Sequence, residues 1–309
     1  MKTLLRAGAL TLLPVASFAQ PPDAGLATAA GLEVSASVGG YRYVEPLAQP
    51  ISLHGLKIAG EYTATRTLGQ RGRWFIQANA RAVVGDVAYD GFCRPWQIAP
   101  NSGSSNGYAL GLGAASPCSE RGNADWYLEA RALVGRDLIG GTWGAAPYAG
   151  VGVRHLSSGI ASISGYRTDE YLYVPVGVTT RTRIASRHAL RITVEYDRLI
   201  RGWQKTRQSR FGGGEVPATA TAPAFTIEGF SDVSFAQHSG WALRTSAHYQ
   251  ATRRWSLEPY YIHWSVGDSS VNPITATFTV NGVTAAQRLG FYEPRNTTNE
   301  WGVKLGFRF

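Results

Sequence analysis

Residues 299–309 read NEWGVKLGFRF, and from Trp301 onward every second residue is apolar. Val303, Leu305, Phe307 and Phe309 share a face with Trp301, while Gly302, Lys304, Gly306 and Arg308 lie between them. A helix would need apolar residues three and four apart, so a period of two specifies a strand with one greasy and one polar side. Chain ends are usually frayed and polar. This one is patterned as an integral strand to its last residue.

Upstream the same period recurs in about ten segments, each near the 9 to 11 residues that a tilted strand needs to cross a bilayer. The first, LEVSASVGGYRY, sets Leu32, Val34, Ala36 and Val38 against Glu33, Ser35 and Ser37. HGLKIAGEYTATR, RWFIQANARAVVGD and DWYLEARALVG follow, the third contrasting Ile76, Ala78, Ala80, Ala82 and Val84 with Gln77, Asn79 and Arg81. Then come APYAGVGVRH, EYLYVPVGVTTR, HALRITVEYDR, GWALRTSAHYQ, WSLEPYYIHW and EWGVKLGFRF. Pro175 and Pro259 remove ladder donors, so bulges are expected there.

Composition agrees with an all-β chain. Among 309 residues there are 36 Gly, 15 Tyr and 9 Trp but a single Met, and only 17% are charged against a norm of about 25%. Lys2 and Arg6, the apolar run Ala7 to Ala16 and the small-residue site Ser17-Phe18-Ala19 predict a cleaved export signal over 1–19. A short periplasmic segment is expected over 20–30 and a barrel over 31–309. No stretch has the length of a transmembrane helix, and the mean hydropathy of -0.14 does not argue against a barrel, whose strands alternate greasy with polar residues.

The formal net charge is +9. A nucleic-acid partner would call for clustered basic residues and a recognition motif, and neither is visible. Cys93 and Cys118 suit an exported protein and could pair, and they are too few and too far apart for a zinc site. No cofactor or metal is expected.

Connections also follow a rhythm. Those after the even segments are short (TLGQRG, RDLIGGTWG, IASR, ATRR), and those after the odd segments are expected to run to about forty residues, the pattern of short periplasmic turns and long extracellular loops. In the last loop, VNGV predicts a hairpin turn. A β-sandwich or a lipocalin-like barrel would also alternate, with the apolar face inward. Here the polar face carries Glu33, Lys57, Glu61, Arg81, Glu129, Arg131, Arg181, Arg191, Glu195, Asp197, Arg244, Glu258 and Lys304 near mid-strand, and the opposite face is continuously aliphatic or aromatic. The reading is a transmembrane antiparallel up-and-down barrel of about ten strands, with eight or twelve as alternatives.

The ending WGVKLGFRF, with Trp301, Val303, Leu305, Phe307 and a final Phe309, resembles the C-terminal signature of bacterial outer-membrane β-barrels. YRYVEP, EYDRLIRGWQKT and FYEPRNTTNEWGVKLGFRF resemble segments of the opacity-like or porin-like members. The resemblance implies a place in the outer membrane among lipid and lipopolysaccharide, termini on the periplasmic side, and recognition of the last strand by the barrel assembly machinery. It implies no activity.

Three functions follow from this reading. The first is a small porin-like channel or a structural barrel, its lumen lined by the charged residues above, with an excess of basic groups over acidic ones. The second is a surface barrel whose loops engage an extracellular ligand. The third is a rim hydrolase like the omptins, for which Asp86, Asp90, His155, Asp169 and Asp268 are the outer-end candidates. They lack a close Asp-Asp or Asp-x-His pair. Lipid-modifying barrels use Ser and His on the outer face, whereas Ser246 and His248 fall on the lumen face. No catalytic residue is therefore assigned. Trp74, Trp126, Trp143, Trp203, Trp241, Trp255, Trp264 and Trp301 suit two aromatic girdles.

Overall fold

The computed structural model describes residues 25–47, 50–68, 73–160, 165–185, 188–210 and 213–309. The expected export signal lies outside the described residues. All ten patterned segments are strands: β1 (Gly31–Glu45), β2 (Ile51–Leu68), β3 (Trp74–Cys93), β4 (Ser116–Arg136), β5 (Trp143–Ile160), β6 (Gly165–Ala185), β7 (His188–Arg207), β8 (Gly240–Gln250), β9 (Trp255–Val266) and β10 (Asn296–Arg308). Each pairs antiparallel with its sequence neighbours. β10 closes on β1 from Glu33↔Arg308 to Val44↔Thr297, so the ring has no free edge, which removes the hazard of unpaired strand backbone. The patterned C-terminus is thus the seam of a closed barrel.

The orientation of the faces decides what kind of barrel it is. Val34, Val38, Leu56, Ile58, Ile76, Leu128, Val151, Val153, Val176, Val194, Val303 and Leu305 are exposed, while Arg81, Glu129, Arg181, Glu195 and Asp197 on the alternate positions are buried. A water-soluble barrel would reverse this. An apolar exterior around an ionic interior is the arrangement that a lipid solvent demands, with the ladders carried round a closed ring and hydrocarbon side chains turned outward. Exposed Trp74, Trp143 and Trp255 on one side and Trp126, Trp203, Trp241 and Trp301 on the other bracket the aliphatic stretches of their strands. Trp264 departs from the expected girdle: it is 2% exposed and packs inside against Tyr171 and Tyr173, since its position has the inward parity of Tyr260 and Ile262.

Two expectations are corrected. The connections after β1 and β5 are short rather than about forty residues, because strands β3 to β7 run to 18–21 residues, well beyond the 9 to 11 needed to cross, and the surplus forms hairpin walls above the apolar band. Nor do Pro175 and Pro259 shift the register; pairs are missing opposite them, but the ladders resume in step. The irregularities fall instead at His188/Ala189 and Leu199/Arg201 on β7 and at Val87/Tyr89 on β3.

The three long loops fold together at that end. Asn272–Val280 and Val283–Phe291 form the hairpin expected from VNGV, with Asn281 (φ 48°) and Gly282 (φ 77°) both left-handed as a primed two-residue turn requires. Phe225–Phe230 adds to this hairpin and Gly214–Val216 adds to Phe225–Phe230. A separate pair, Trp96–Pro100 with Tyr108–Leu112, docks through Leu110 N–H to Gln287 Oε1 (2.7 Å) and Trp96 against Phe230 (4.9 Å between ring centroids). Ile98, Leu110, Phe225, Ile227, Phe278 and Val280 form its core.

Cys93 and Cys118 are joined across the base of the first long loop. Closing a loop of this length contributes about 3 kcal/mol in the chain-entropy model. Replacing both cysteines with Ser is expected to speed proteolysis within 94–115 while leaving the heat-modifiable migration of the barrel unchanged, as read by limited proteolysis and unheated gels.

Candidate functional site

The inward side chains form stacked layers. At the short-turn end Lys304 Nζ lies 3.0 Å from both Glu61 and Glu258, and Asn79 donates to Glu61 at 2.7 Å. His248 bridges Glu258 (3.0 Å) and Arg191, and Arg191 comes within 4.0 Å of Glu33. A polar chamber of about 180 Å³ remains here, lined by Glu61, Thr193, Ser246 and their neighbours.

Mid-barrel the lumen is crowded by ion pairs, with a void of about 80 Å³ left beside Glu61, Arg131 and Glu195. Arg244 donates from Nε to Asp197 Oδ2 at 2.6 Å and from Nη1 to Glu129 Oε2 at 2.9 Å. Arg131 pairs with Glu195, whose other oxygen accepts from the Tyr148 hydroxyl at 2.8 Å. Arg81 pairs with Glu300, which also accepts from the hydroxyls of Tyr127 (2.7 Å) and Tyr260 (3.2 Å). Arg154 stacks its guanidinium 3.9 Å from the Tyr127 ring centroid. A charge removed from water must find close partners: Glu129, Glu195 and Glu300 each have a cation and a tyrosine hydroxyl against them, whereas Asp197 has Arg244 on Oδ2 and a buried Oδ1 with no hydrogen-bond partner. Nearer the loops, Lys57 pairs with Asp125 beneath Tyr41, and Arg167 gathers Glu45, Glu293 and Asp169.

All thirteen lumen residues expected from the sequence point inward, but not as one set. Glu129, Arg131, Glu195, Asp197 and Arg244 form one cluster and Glu61, Glu258 and Lys304 another, whereas Arg181 pairs apart from both with Asp137 at 3.0 Å. Sequence reasoning did not place Arg154, Asp125, Glu300, Asp137, Arg167 and Glu293 in the lumen, and it read Asp169, buried here, as an outer-rim acid. The expected basic excess is offset by these additional carboxylates.

The short-turn mouth is also covered. Thr28 donates from N and Oγ1 to Asp137, both at 2.8 Å, and Arg181 donates to Thr28 Oγ1 at 2.8 Å. Arg308 binds the carbonyls of Ala29 (2.7 Å) and Ala30 (3.0 Å). Leu26 is buried at 3% exposure against Gly144, where a Cβ would meet the Leu26 carbonyl at 2.4 Å. Residues 26–30 therefore lie across the barrel end.

The rim candidates disperse. His54 and Asp90 are 3.5 Å apart on the exposed wall above the apolar band, Asp169 is buried beside Arg167, and Asp268 accepts the Arg295 N–H at 2.6 Å. His155 pairs with Glu170, Nδ1 to Oε1 3.3 Å, on the lipid-facing wall. Near that wall, Ser209 hydroxyl and amide bonds and the neighbouring Lys205 hold the Asp232 carboxyl below its ordinary value.

No family model and no curated protein matches the chain. Among solved structures it is similar to the outer membrane protease OmpT of Escherichia coli at 11% identity, over 90% of this chain and 97% of that one, with a TM-score of 0.47. An outer membrane channel of Pseudomonas putida F1 aligns at 10% identity over 94% of this chain and 100% of that one (TM-score 0.37). Ail, the attachment invasion locus protein of Yersinia pestis, aligns at 11% identity over 91% and 100% (TM-score 0.27). At these values no function passes from those proteins to this chain.

Proposed function

We propose that the chain is an integral protein of the bacterial outer membrane that works as a sealed, non-conducting barrel, its short turns periplasmic and its folded loop cap at the cell surface. The observation that carries this reading is the mid-lumen layer of Arg81, Glu300, Arg131, Glu195, Arg244 and Glu129 with Tyr127, Tyr148 and Tyr173. A solute would have to break several desolvated ion pairs at once, each costing several kcal/mol. The narrow anion-preferring path therefore gives way to the structural reading. Within the wider resemblance, the opacity-like reading suits a filled lumen better than the porin-like one.

Purified protein in planar bilayers is expected to give no stepwise conductance, and discrete steps that change when Arg244 is replaced by Gln would defeat the proposal. The shared apolar core of the three long loops favours a second role in ligand binding, since a cap built to hold its shape presents a fixed surface. Deleting 272–291 should abolish attachment to such a ligand while the barrel still migrates as a folded species.

A further inference from the structure

On the outer wall, between β2 and β7, small side chains leave an apolar groove of about 740 Å³. Gly60, Ala80, Ala82 and Ala130 form its floor, Leu128, Val153 and Leu172 flank it, and it ends at His155, Glu170 and Trp203. Its position on the lipid-facing side makes an acyl chain its natural occupant. The end of the groove carries polar chemistry that lipid contact does not require. His155 lies opposite Leu128 and faces Glu170 across the β5–β6 ladder. Ser157 is two residues further along β5, with the same outward parity, opposite both Trp126 and Thr168. Residues i and i+2 of a strand are about 6.6 Å apart at the backbone, within reach for an imidazole and a hydroxyl on one face. Trp126 packs against the His155 ring at 5.5 Å, which fixes the group at the interfacial girdle, the depth at which acyl esters meet their headgroups.

We propose that His155, Ser157 and Glu170 form a hydrolytic site on the lipid-facing wall, acting on an acyl ester of a phosphate-bearing membrane lipid whose chain lies in the groove. Ser157 is the nucleophile and His155 the general base; Glu170 is a positioning residue that holds Nδ1 and leaves Nε2 for the serine. Ser157 Oγ attacks the ester carbonyl as its proton passes to His155. The carbonyl–oxygen bond to the lipid alcohol breaks, and His155 returns the proton to that alcohol. Water, activated by the same imidazole, then cleaves the acyl-serine and releases a fatty acid. Arg201 and Arg207 project from the neighbouring β7 on the outward parity and supply the cations that a lipid phosphate needs, while Lys205, opposite Thr168, is paired with Asp232 at 3.5 Å. The pair His54 and Asp90, with Ser52 opposite Asp90, is a similar set of residue types that stands above the apolar band. It serves as an internal control.

The test uses the full barrel reconstituted in two sets of vesicles, one of ester-linked phosphatidylethanolamine and phosphatidylglycerol and one containing lipid A, with free fatty acid measured by mass spectrometry. Release from either set supports the proposal and identifies the source of the ester. Ser157→Ala and His155→Gln should each lower release by at least about 10³-fold, and a lipophilic fluorophosphonate should label Ser157 in the parent protein. Glu170→Gln should lower kcat more than it raises KM, because the imidazole loses the group that orients it toward the serine. Gly60→Leu should lower turnover of long-chain esters relative to short-chain ones at least tenfold, since a Cβ there meets nothing within 4 Å and the added side chain fills the groove. Ser52→Ala should leave release unchanged. Heat-modifiable migration verifies the folding of each variant. No fatty acid from either vesicle together with no labelling of Ser157, or release that survives Ser157→Ala, overturns the proposal.

Discussion

Replacing Arg81 by Met is expected to lower the unfolding free energy of the barrel by about 3–5 kcal/mol. Arg81 is 5% exposed and Glu300 2%, so removing the guanidinium leaves a buried carboxylate without its ion-pair partner, held by the Tyr127 and Tyr260 hydroxyls with Arg154 as the nearby remaining cation. The same Arg also stacks 4.8 Å from the Tyr260 ring centroid. Adding Glu300→Gln to Arg81→Met should restore at least half of the loss, because a neutral amide can keep hydrogen bonds to both tyrosines. Arg81→Lys should not rescue fully, a point charge being unable to reproduce the planar fork and the ring contact. Urea unfolding of the protein in liposomes measures all three, and a single-variant loss under about 1 kcal/mol would mean that the lumen layer is hydrated and loose.

The second large effect lies on the opposite face. Val194→Arg places a guanidinium at the middle of the outward apolar stretch of β7, between Val178 and Thr245 on the flanking strands. An Arg on the lipid face near the midplane costs about 2–4 kcal/mol and much less near the interfaces. Moving the substitution to Trp203→Arg should therefore cost under half as much. If both positions cost the same, or if neither costs anything, the exterior is not lipid-facing at the depth assigned to it.

Strand positions and facing were legible in the sequence because a period of two fixes both at once. The final strand from Trp301 to Phe309 and the mid-strand runs around Arg81, Glu129 and Glu195 all face as their parity requires. That same parity already held Asp125, Arg154, Trp264 and Glu300, since each alternates in step with an inward neighbour. They were missed because they lie near the ends of the patterned runs, where an aromatic or acid also fits a girdle or loop. Partner choice was not legible. Arg81 selects Glu300 over Glu129, its direct ladder neighbour, through contacts across the barrel that no local pattern encodes. The length of the hairpin walls was hidden too, because strand above the bilayer loses the apolar side that marks it below. The outer-wall group escaped for a similar reason. His155 was visible as an isolated rim histidine, but Glu170 joins it only through the β5–β6 register, and Ser157 lies past the patterned segment that ends at His155.

The central claim is that the aliphatic face meets lipid and the ionic face is enclosed. It is tested most directly by a single cysteine at Val194, in a background with Cys93 and Cys118 replaced by Ser, carrying an environment-sensitive fluorophore in reconstituted vesicles. Strong quenching by lipids brominated on the acyl chain, with little quenching by aqueous iodide, is the predicted result. Efficient iodide quenching with no effect of brominated lipid would contradict it.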